Sequence, residues 1–194
     1  MRSKSLLIYF VGLMGLILFL ALAANSNILA QEQSTYLRFV RDMKTDRLGI
    51  RHPAVVSFSP QANAFLVLPT RGAAEPLSGT TTIALFTQFL DPAGSVRVPL
   101  TIPDPINTAF DGKANRLLIL DTPAHELIAI QAHAAGIPDP TAITRFQVRE
   151  FGVPAGRGMT VDPSSGQLYI LDSNGQRIVR IVPGADNGFD GATA

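Results

Sequence analysis

The sequence repeats one pattern of apolar and polar positions three times. A short apolar stretch ends in Phe or Val, a polar turn of about five residues follows, and a second apolar stretch of four residues comes next. The copies align without gaps at residues 58–68 (FSPQANAFLVL), 110–120 (FDGKANRLLIL) and 161–171 (VDPSSGQLYIL). Because successive copies begin 52 and 51 residues apart, the pattern indicates an internal structural repeat.

Each copy continues into further predicted strands. In the third copy, Asn174-Gly175 separates two apolar runs, which predicts a tight type I′ hairpin. The second copy continues into an apolar run at residues 126–130, and the first into one at 81–86. Turns rich in Pro and Gly then precede predicted fourth strands at 95–102 and 142–148. Four strands in about 50 residues predict an all-β fold, a β-propeller of four-stranded blades.

The apolar residues of the two inner strands of each copy alternate poorly with polar ones. Such strands are expected where both faces of a sheet are buried against neighbouring sheets. Residues 158–181 (GMTVDPSSGQLYILDSNGQRIVRI) in addition resemble an NHL-type repeat in their Gly-apolar-x-Val-Asp opening and Arg-Ile-x-Arg-apolar closing strand. Residues 107–130 are a fair match, and the first copy is a weak one. The resemblance, over about residues 51–181, is to bacterial exported six-bladed propellers and to gluconolactonase-like hydrolases. It implies the propeller architecture and leaves the activity open, because propellers host unrelated functions.

The predicted propeller domain, residues 31–194, holds repeats at about 51–103, 104–152 and 153–194. Closed propellers have about four to eight blades, so three blades predict an incomplete ring. We expect either an amino-terminal fragment of a longer propeller or several chains that share one ring. Residues 35–40 (TYLRFV) have the pattern of an outer fourth strand that completes the last blade of a ring. Residues 184–191 read as the turn before another fourth strand.

Residues 1–30 predict an export segment that is separate from the fold. Arg2 and Lys4 precede residues 6–24, which contain no charged side chain. This arrangement is typical of a signal peptide, although 19 uncharged residues approach the roughly 20 that span a bilayer. The alternatives are a cleaved signal peptide and an uncleaved anchor. Both place the remaining chain outside the cytoplasm, in an extracellular, periplasmic or cell-surface location.

The composition removes several function classes. The 194 residues are 46% hydrophobic and 16% charged, with a formal net charge of +1, which is typical of a globular domain. A chain so weakly charged predicts no nucleic-acid partner, and membrane contact only through an uncleaved anchor. The absence of cysteine from the sequence excludes disulfides, thiolate nucleophiles and cysteine-bearing metal sites.

Residues that precede the innermost strands of a propeller can converge on its central channel. Arg157 is the strongest ligand-binding candidate, because a guanidinium binds carboxylate or phosphate through two parallel hydrogen bonds and the flanking glycines allow close approach. The alternative is that Arg157 pairs with a neighbouring blade. The other candidates at corresponding positions are Asn107, His52 and Asp104, together with Arg51.

Few residues suggest a metal site or a catalytic group. Asp186 and Asp190 match the beginning of a calcium-binding loop, but Gly188 stands where that loop requires Asp or Asn. Calcium or another divalent cation there is a weak alternative to an ordinary turn, and no other cofactor is predicted. The three histidines show no metal-ligand spacing. The recurring aspartates are predicted to accept hydrogen bonds in turns; they are Asp111, Asp121, Asp162 and Asp172.

Two function classes follow. The first is a non-catalytic binding or interaction module outside the cytoplasm, which needs only a rigid propeller and an adaptable loop face. The alternative is a metal-dependent gluconolactonase-like hydrolase, in which a divalent cation polarises the substrate carbonyl. For that site these repeats offer one acid and one amide, Asp104 and Asn107. No catalytic residue is predicted, so the binding module is the leading interpretation.

Overall fold

Three antiparallel sheets follow one another along the chain in a computed structural model, and each sheet is a meander whose strands pair in sequence order. The first sheet, blade 1, contains β1 (Pro53–Ser59), β2 (Ala64–Pro69), β3 (Thr81–Thr87) and β4 (Pro92–Val98). Blade 2 contains β5 (Pro105–Asp111), β6 (Arg116–Asp121), β7 (Glu126–Ala132) and β8 (Pro138–Gln147). Blade 3 contains β9 (Gly156–Val161), β10 (Leu168–Asp172) and β11 (Arg177–Ile181). The sheets confirm the predicted all-β fold, a β-propeller of meander blades.

The structure describes residues 42, 44–70, 79–121, 124–184, 188, 189 and 194. The predicted export segment, the predicted outer strand at 35–40, and Asp186 and Asp190 lie outside these residues. Two short 3₁₀ helices, Thr45–Leu48 and Val148–Phe151, are the helices of the described part. No helix among the residues that are described is long and apolar enough to cross a membrane.

The hairpins share one loop geometry. The strand pairs that end at Ser59↔Ala64, Asp111↔Arg116 and Asp172↔Arg177 each enclose four loop residues. The last residue of each loop is left-handed, at Asn63, Asn115 and Gln176. The predicted type I′ turn at Asn174-Gly175 is therefore wrong, because that turn requires a positive φ at both central residues. In the structure Gln176 has the positive φ, 50°, and Gly175 does not.

The fourth strands begin earlier than the sequence pattern predicts. β4 begins at Pro92 and β8 at Pro138, where Pro and Gly suggest turns. Proline lacks a backbone donor, but β4 and β8 are outermost in their sheets. An edge strand tolerates proline because the backbone on its outer side needs no strand partner.

The two larger hydrophobic clusters of the described residues lie at the two junctions between the blades, and a smaller one, with Ile50 and Phe86, lies on blade 1. All six residues of β6 are buried. Leu118 and Leu120 pack toward blade 3 with Ile170, whereas Leu117 and Ile119 pack toward blade 1. Both faces of β6 are thus covered by neighbouring sheets, which explains the poor alternation in the sequence.

The first strands β1, β5 and β9 lie side by side, which places the beginning of each blade at one end of the stack. We call this end, with residues 50–53, 99–104 and 148–155, the upper face. The lower face carries the loops 60–63, 112–115 and 162–167. There the amide of Gln61 donates to the carbonyl of Gly112 at 3.0 Å, and the Lys113 ammonium donates to the carbonyl of Ser165 at 3.0 Å. Gln61 and Lys113 occupy the same loop position in consecutive blades, so both junctions contain an equivalent hydrogen bond from a loop side chain to the next blade.

Candidate functional site

The pairing of each first strand is interrupted at the same position of the repeat. In blade 3, Gly158 pairs with Leu171 and Gly156 with Asp172, which leaves Arg157 as an extra residue. The corresponding extra residues are Ala54 in β1 and Ile106 in β5. An extra residue of this kind is a β-bulge, which bends the strand and re-aims a side chain. The repeat therefore presents Arg157 at the upper end of an innermost strand.

The Arg157 side chain is exposed. It forms no hydrogen bond or ion pair with any other residue in the described part of the chain. Its repeat counterpart Ile106 packs against the core between blades 2 and 3. Arg157 therefore lies on the side of blade 3 that faces away from blade 2. A side chain at Gly156 would be crowded, since a Cβ there would lie 3.1 Å from Cδ2 of Leu120.

The structure brings Asn107 close to this bulge. Asn107 is half-buried on β5, and a Cβ on Gly158 would lie 3.8 Å from its Nδ2. Its side-chain amide makes no hydrogen bond to the residues that the structure describes. Asn107 and Arg157, two candidates predicted from different repeats, thus lie on neighbouring inner strands. The polar group of each side chain makes no hydrogen bond to the described residues.

His52 and Asp104 form a second group at the upper end of blades 1 and 2. The backbone N–H of Thr70 donates to the carbonyl of His52 at 2.8 Å, and the Thr70 hydroxyl donates to Asp104 Oδ1 at 3.3 Å. Both predicted side chains are exposed. Thr70, which links them, carries no signal in the sequence because it lies outside the repeated strands, directly after β2.

Asp121 lies beneath this second group. Its carboxylate is buried and accepts the N–H of Asp104 at 3.3 Å. Burial raises the pKa of Asp121; the hydrogen bond from Asp104 lowers it, and the negative charges of Asp104 and Glu126 raise it further. Glu126 is held by ion pairing with Arg145 and by a 3.0 Å hydrogen bond from Gln147. This junction is acidic at its upper end, in contrast to the neighbourhood of Arg157.

The recurring aspartates divide into two roles. Asp111 accepts the backbone N–H groups of Lys113 and Ala114, each at 3.1 Å, and Asp162 accepts that of Ser164 at 2.9 Å, as predicted for turns. The prediction is wrong for Asp172. Its buried carboxylate accepts from Arg177 Nε at 3.4 Å and from none of the amides in its own loop, residues 173–176. The Arg177 side chain reaches back to the Gly152 carbonyl at 2.6 Å.

No group of three or more histidine, aspartate or glutamate residues that could hold a metal ion occurs in the described part of the chain. Asp104 and Asn107, on which the hydrolase alternative depends, are turned to different junctions. Asp104 bonds to Thr70 of blade 1, whereas Asn107 lies against Gly158 of blade 3. The geometry therefore does not join this acid and this amide in one site.

The chain is similar to solved structures at low sequence identity. The chain is 15% identical to a chain of a nidogen/laminin complex, with a TM-score of 0.46 over 70% of this chain and 45% of that one. It is 13% identical to a protein from Lactobacillus plantarum, with a TM-score of 0.45 over 70% of this chain and 39% of that one. No protein-family model and no curated protein matches the sequence. The chain spans less than half the length of either solved structure, and its fold assignment rests on its own sheets and junctions.

Proposed function

We propose that the protein is a non-catalytic binding module, an NHL-like propeller exported from the cytoplasm, that recognises a carboxylate- or phosphate-bearing ligand at its upper face. The observation that carries the proposal is the exposed guanidinium of Arg157 in the bulge of an innermost strand. Export follows from the predicted segment at residues 1–30.

The chemistry around Arg157 suits an anionic group. A guanidinium offers parallel N–H donors that match both carboxylate and phosphate oxygens. The amide of Asn107 stands on the adjacent strand and supplies a further donor or acceptor that orients the ligand. Because Gly158 has no side chain beside the Asn107 amide, a ligand can approach the backbone closely there.

The acidic upper end of the neighbouring junction supports selection among anions. Asp104, Asp121 and Glu126 lie together there with one cation, Arg145, which is paired with Glu126. The acidic residues outnumber the basic one, so further negative charge brought close to them is repelled. A ligand with one anionic group and a neutral remainder fits this distribution better than a polyanion. The proposed site thus attracts one anionic group through Arg157, and the neighbouring acidic residues repel further negative charge on the ligand.

The test is calorimetric titration of the full chain with inorganic phosphate and with acetate. Replacing a charged hydrogen-bonding group removes about 1.5–3 kcal/mol, so Arg157→Ala should weaken binding by about tenfold or more. Arg157→Lys should retain part of the affinity, because lysine keeps the positive charge but lacks the two parallel N–H donors of the guanidinium. Arg149→Ala is the matched control, since Arg149 is also exposed and lies outside the bulge. Wild-type affinity in Arg157→Ala, or no binding of either anion, would contradict the proposal.

A further inference from the structure

Two hydroxyl groups are buried without a hydrogen-bond partner where blades 1 and 2 meet. Ser57 on β1 is 9% exposed, and Thr108 on β5 is 8% exposed. Their oxygen atoms, Ser57 Oγ and Thr108 Oγ1, form no hydrogen bond within the described part of the chain. A buried hydroxyl without a partner costs free energy, and native proteins satisfy such groups with a protein atom or with an ordered water molecule.

Both hydroxyls face the same junction. Ser57 pairs with Leu66 across β1 and β2, and directly paired residues share one face of a sheet. Thr108 pairs in the same way with Ile119 across β5 and β6. Leu66 and Ile119 both belong to the core cluster between blades 1 and 2. Ser57 therefore faces blade 2, and Thr108 faces blade 1.

The two residues also lie at nearly the same height along the first strands. Gly158 on β9 lies beside its repeat counterpart Asn107 on β5, so equivalent positions of neighbouring first strands stand level. The same repeat relates β1 to β5, which lie side by side. Ser57 corresponds to Ala109, the residue directly after Thr108. Ser57 and Thr108 are thus offset by one residue, or roughly 3.3 Å, along the strand direction.

The next junction has apolar residues at these two positions of the repeat. Ala109 takes the place of Ser57 and Met159 the place of Thr108, and both pack in the core between blades 2 and 3. A methionine side chain is longer than that of threonine and fills irregular gaps in a core. The polar pair therefore fills less of its junction than the apolar pair does.

We propose that the junction between blades 1 and 2 binds a buried water molecule that bridges Ser57 Oγ and Thr108 Oγ1. Each hydroxyl offers one donor and two acceptor sites, and a buried water molecule makes about three hydrogen bonds. β1 and β5 are edge strands of their sheets, so backbone groups on that edge supply the third partner. The water molecule thereby satisfies two hydroxyls that the protein leaves without a partner.

The experiment counts long-lived internal water molecules in the full chain by magnetic relaxation dispersion of the water deuterium and oxygen nuclei. The variant Ser57→Ala/Thr108→Met gives this junction the residues of the next one. We expect it to hold one long-lived water molecule fewer than wild type, because both hydroxyl partners are lost and methionine fills the space.

The variant Ser57→Ala/Thr108→Val tests the same site without adding volume. Valine has nearly the shape of threonine and no hydroxyl, so this variant keeps the space and removes both polar side-chain partners. A cavity lined by apolar side chains stays dry. We therefore expect the same loss of one long-lived water molecule, and this result does not depend on whether methionine fits the junction.

Thr160→Ala is the matched control. Thr160 occupies the position of Ser57 in blade 3 but is exposed, so its hydroxyl contacts rapidly exchanging solvent and the count should equal that of wild type. An unchanged count in both double variants would overturn the proposal, since the two hydroxyls would then bind no long-lived water. A loss of the same size in Thr160→Ala would overturn it as well, because the count would not report on this junction.

Discussion

At the scale of single residues, aligned positions of the repeat have acquired different environments. Asp111 is buried and ion-paired with Arg116 at 3.0 Å, and the Arg116 guanidinium lies 4.2 Å from the ring centroid of Phe189. Asp162, one repeat later, is less buried. Hydrogen bonds from Ser165 and Ser164 lower the pKa of Asp162 to about 2. At the same position of the repeat, Asp111 thus forms a buried ion pair in blade 2, whereas Asp162 accepts hydrogen bonds from serine hydroxyls in blade 3.

Asp121→Asn tests the buried carboxylate at the junction of blades 1 and 2. Because burial raises the pKa of Asp121, this group stabilises the fold fully below its unfolded pKa, and that contribution is lost as pH rises through the folded value. Asn keeps an oxygen acceptor for the Asp104 N–H and carries no charge. We expect the variant to be more stable than wild type at pH 7, with the gain shrinking as the pH falls through the raised folded pKa and reaching its minimum below the unfolded value of about 4. Urea unfolding across this pH range measures it, and a gain independent of pH would contradict the assignment.

The candidate binding residues were partly accessible from the sequence. The repeat alignment identifies Arg157 and Asn107 as neighbours of inner strands, because it fixes which residues begin each blade. Thr70 was missed, since its role depends on two backbone and side-chain contacts, to His52 and Asp104, from separate segments. Residues that act through such contacts leave no periodic signal in one sequence.

At the scale of elements, the loops of the lower face hold neighbouring blades in register. The hydroxyl of Ser59, at the end of β1, donates to the carbonyl of Gly136 at 2.9 Å. Gly136 lies in the loop between β7 and β8, so this contact joins blade 1 to the outer half of blade 2. A Cβ at Gly136 would lie 2.6 Å from the backbone nitrogen of Ala62, too close for any side chain without a shift of the loop.

Gly136→Ala should destabilise the protein through strain and a clash together. Gly136 has a φ of +75°, and a left-handed backbone costs a residue with a Cβ roughly 1–2 kcal/mol. The backbone clash should bring the total loss to about 3 kcal/mol or more. Gly49→Ala is the control, because its φ of +78° imposes similar strain where nothing lies within 4 Å. Chemical denaturation should show a larger loss of unfolding free energy for Gly136→Ala than for Gly49→Ala. Equal losses would show that the loop shifts to remove the clash at no cost.

At the scale of the whole molecule, β6 couples the three sheets. Its residues contribute alternately to the core between blades 1 and 2 and to the core between blades 2 and 3. Stacked repeats gain much of their stability from such nearest-neighbour interfaces. Blade 2, with both faces covered, is therefore the element on which the folding of the other two depends.

Ile119→Ala should test this coupling. Ile119 is fully buried in the core between blades 1 and 2, so the loss of its side chain should cost about 2–5 kcal/mol. Unfolding in urea should remain a single transition at a lower midpoint, as blade 3 packs on the same strand. Ile137→Ala, at an exposed position, should change stability by no more than about 0.5 kcal/mol. Two separate transitions in Ile119→Ala would show that blades 2 and 3 fold independently.

The sequence by itself determined the repeat, the strands of each blade and the all-β propeller architecture, because these depend on local patterns of apolar residues and turns. The tertiary structure alone decided which residues become neighbours across blades. It placed Asn107 beside the Arg157 bulge, set Asp121 against Glu126, and showed that Asp172 pairs with Arg177 instead of its turn. These outcomes depend on how one sheet is rotated against the next, and contacts between sheets join residues about 50 positions apart, beyond the reach of any local pattern.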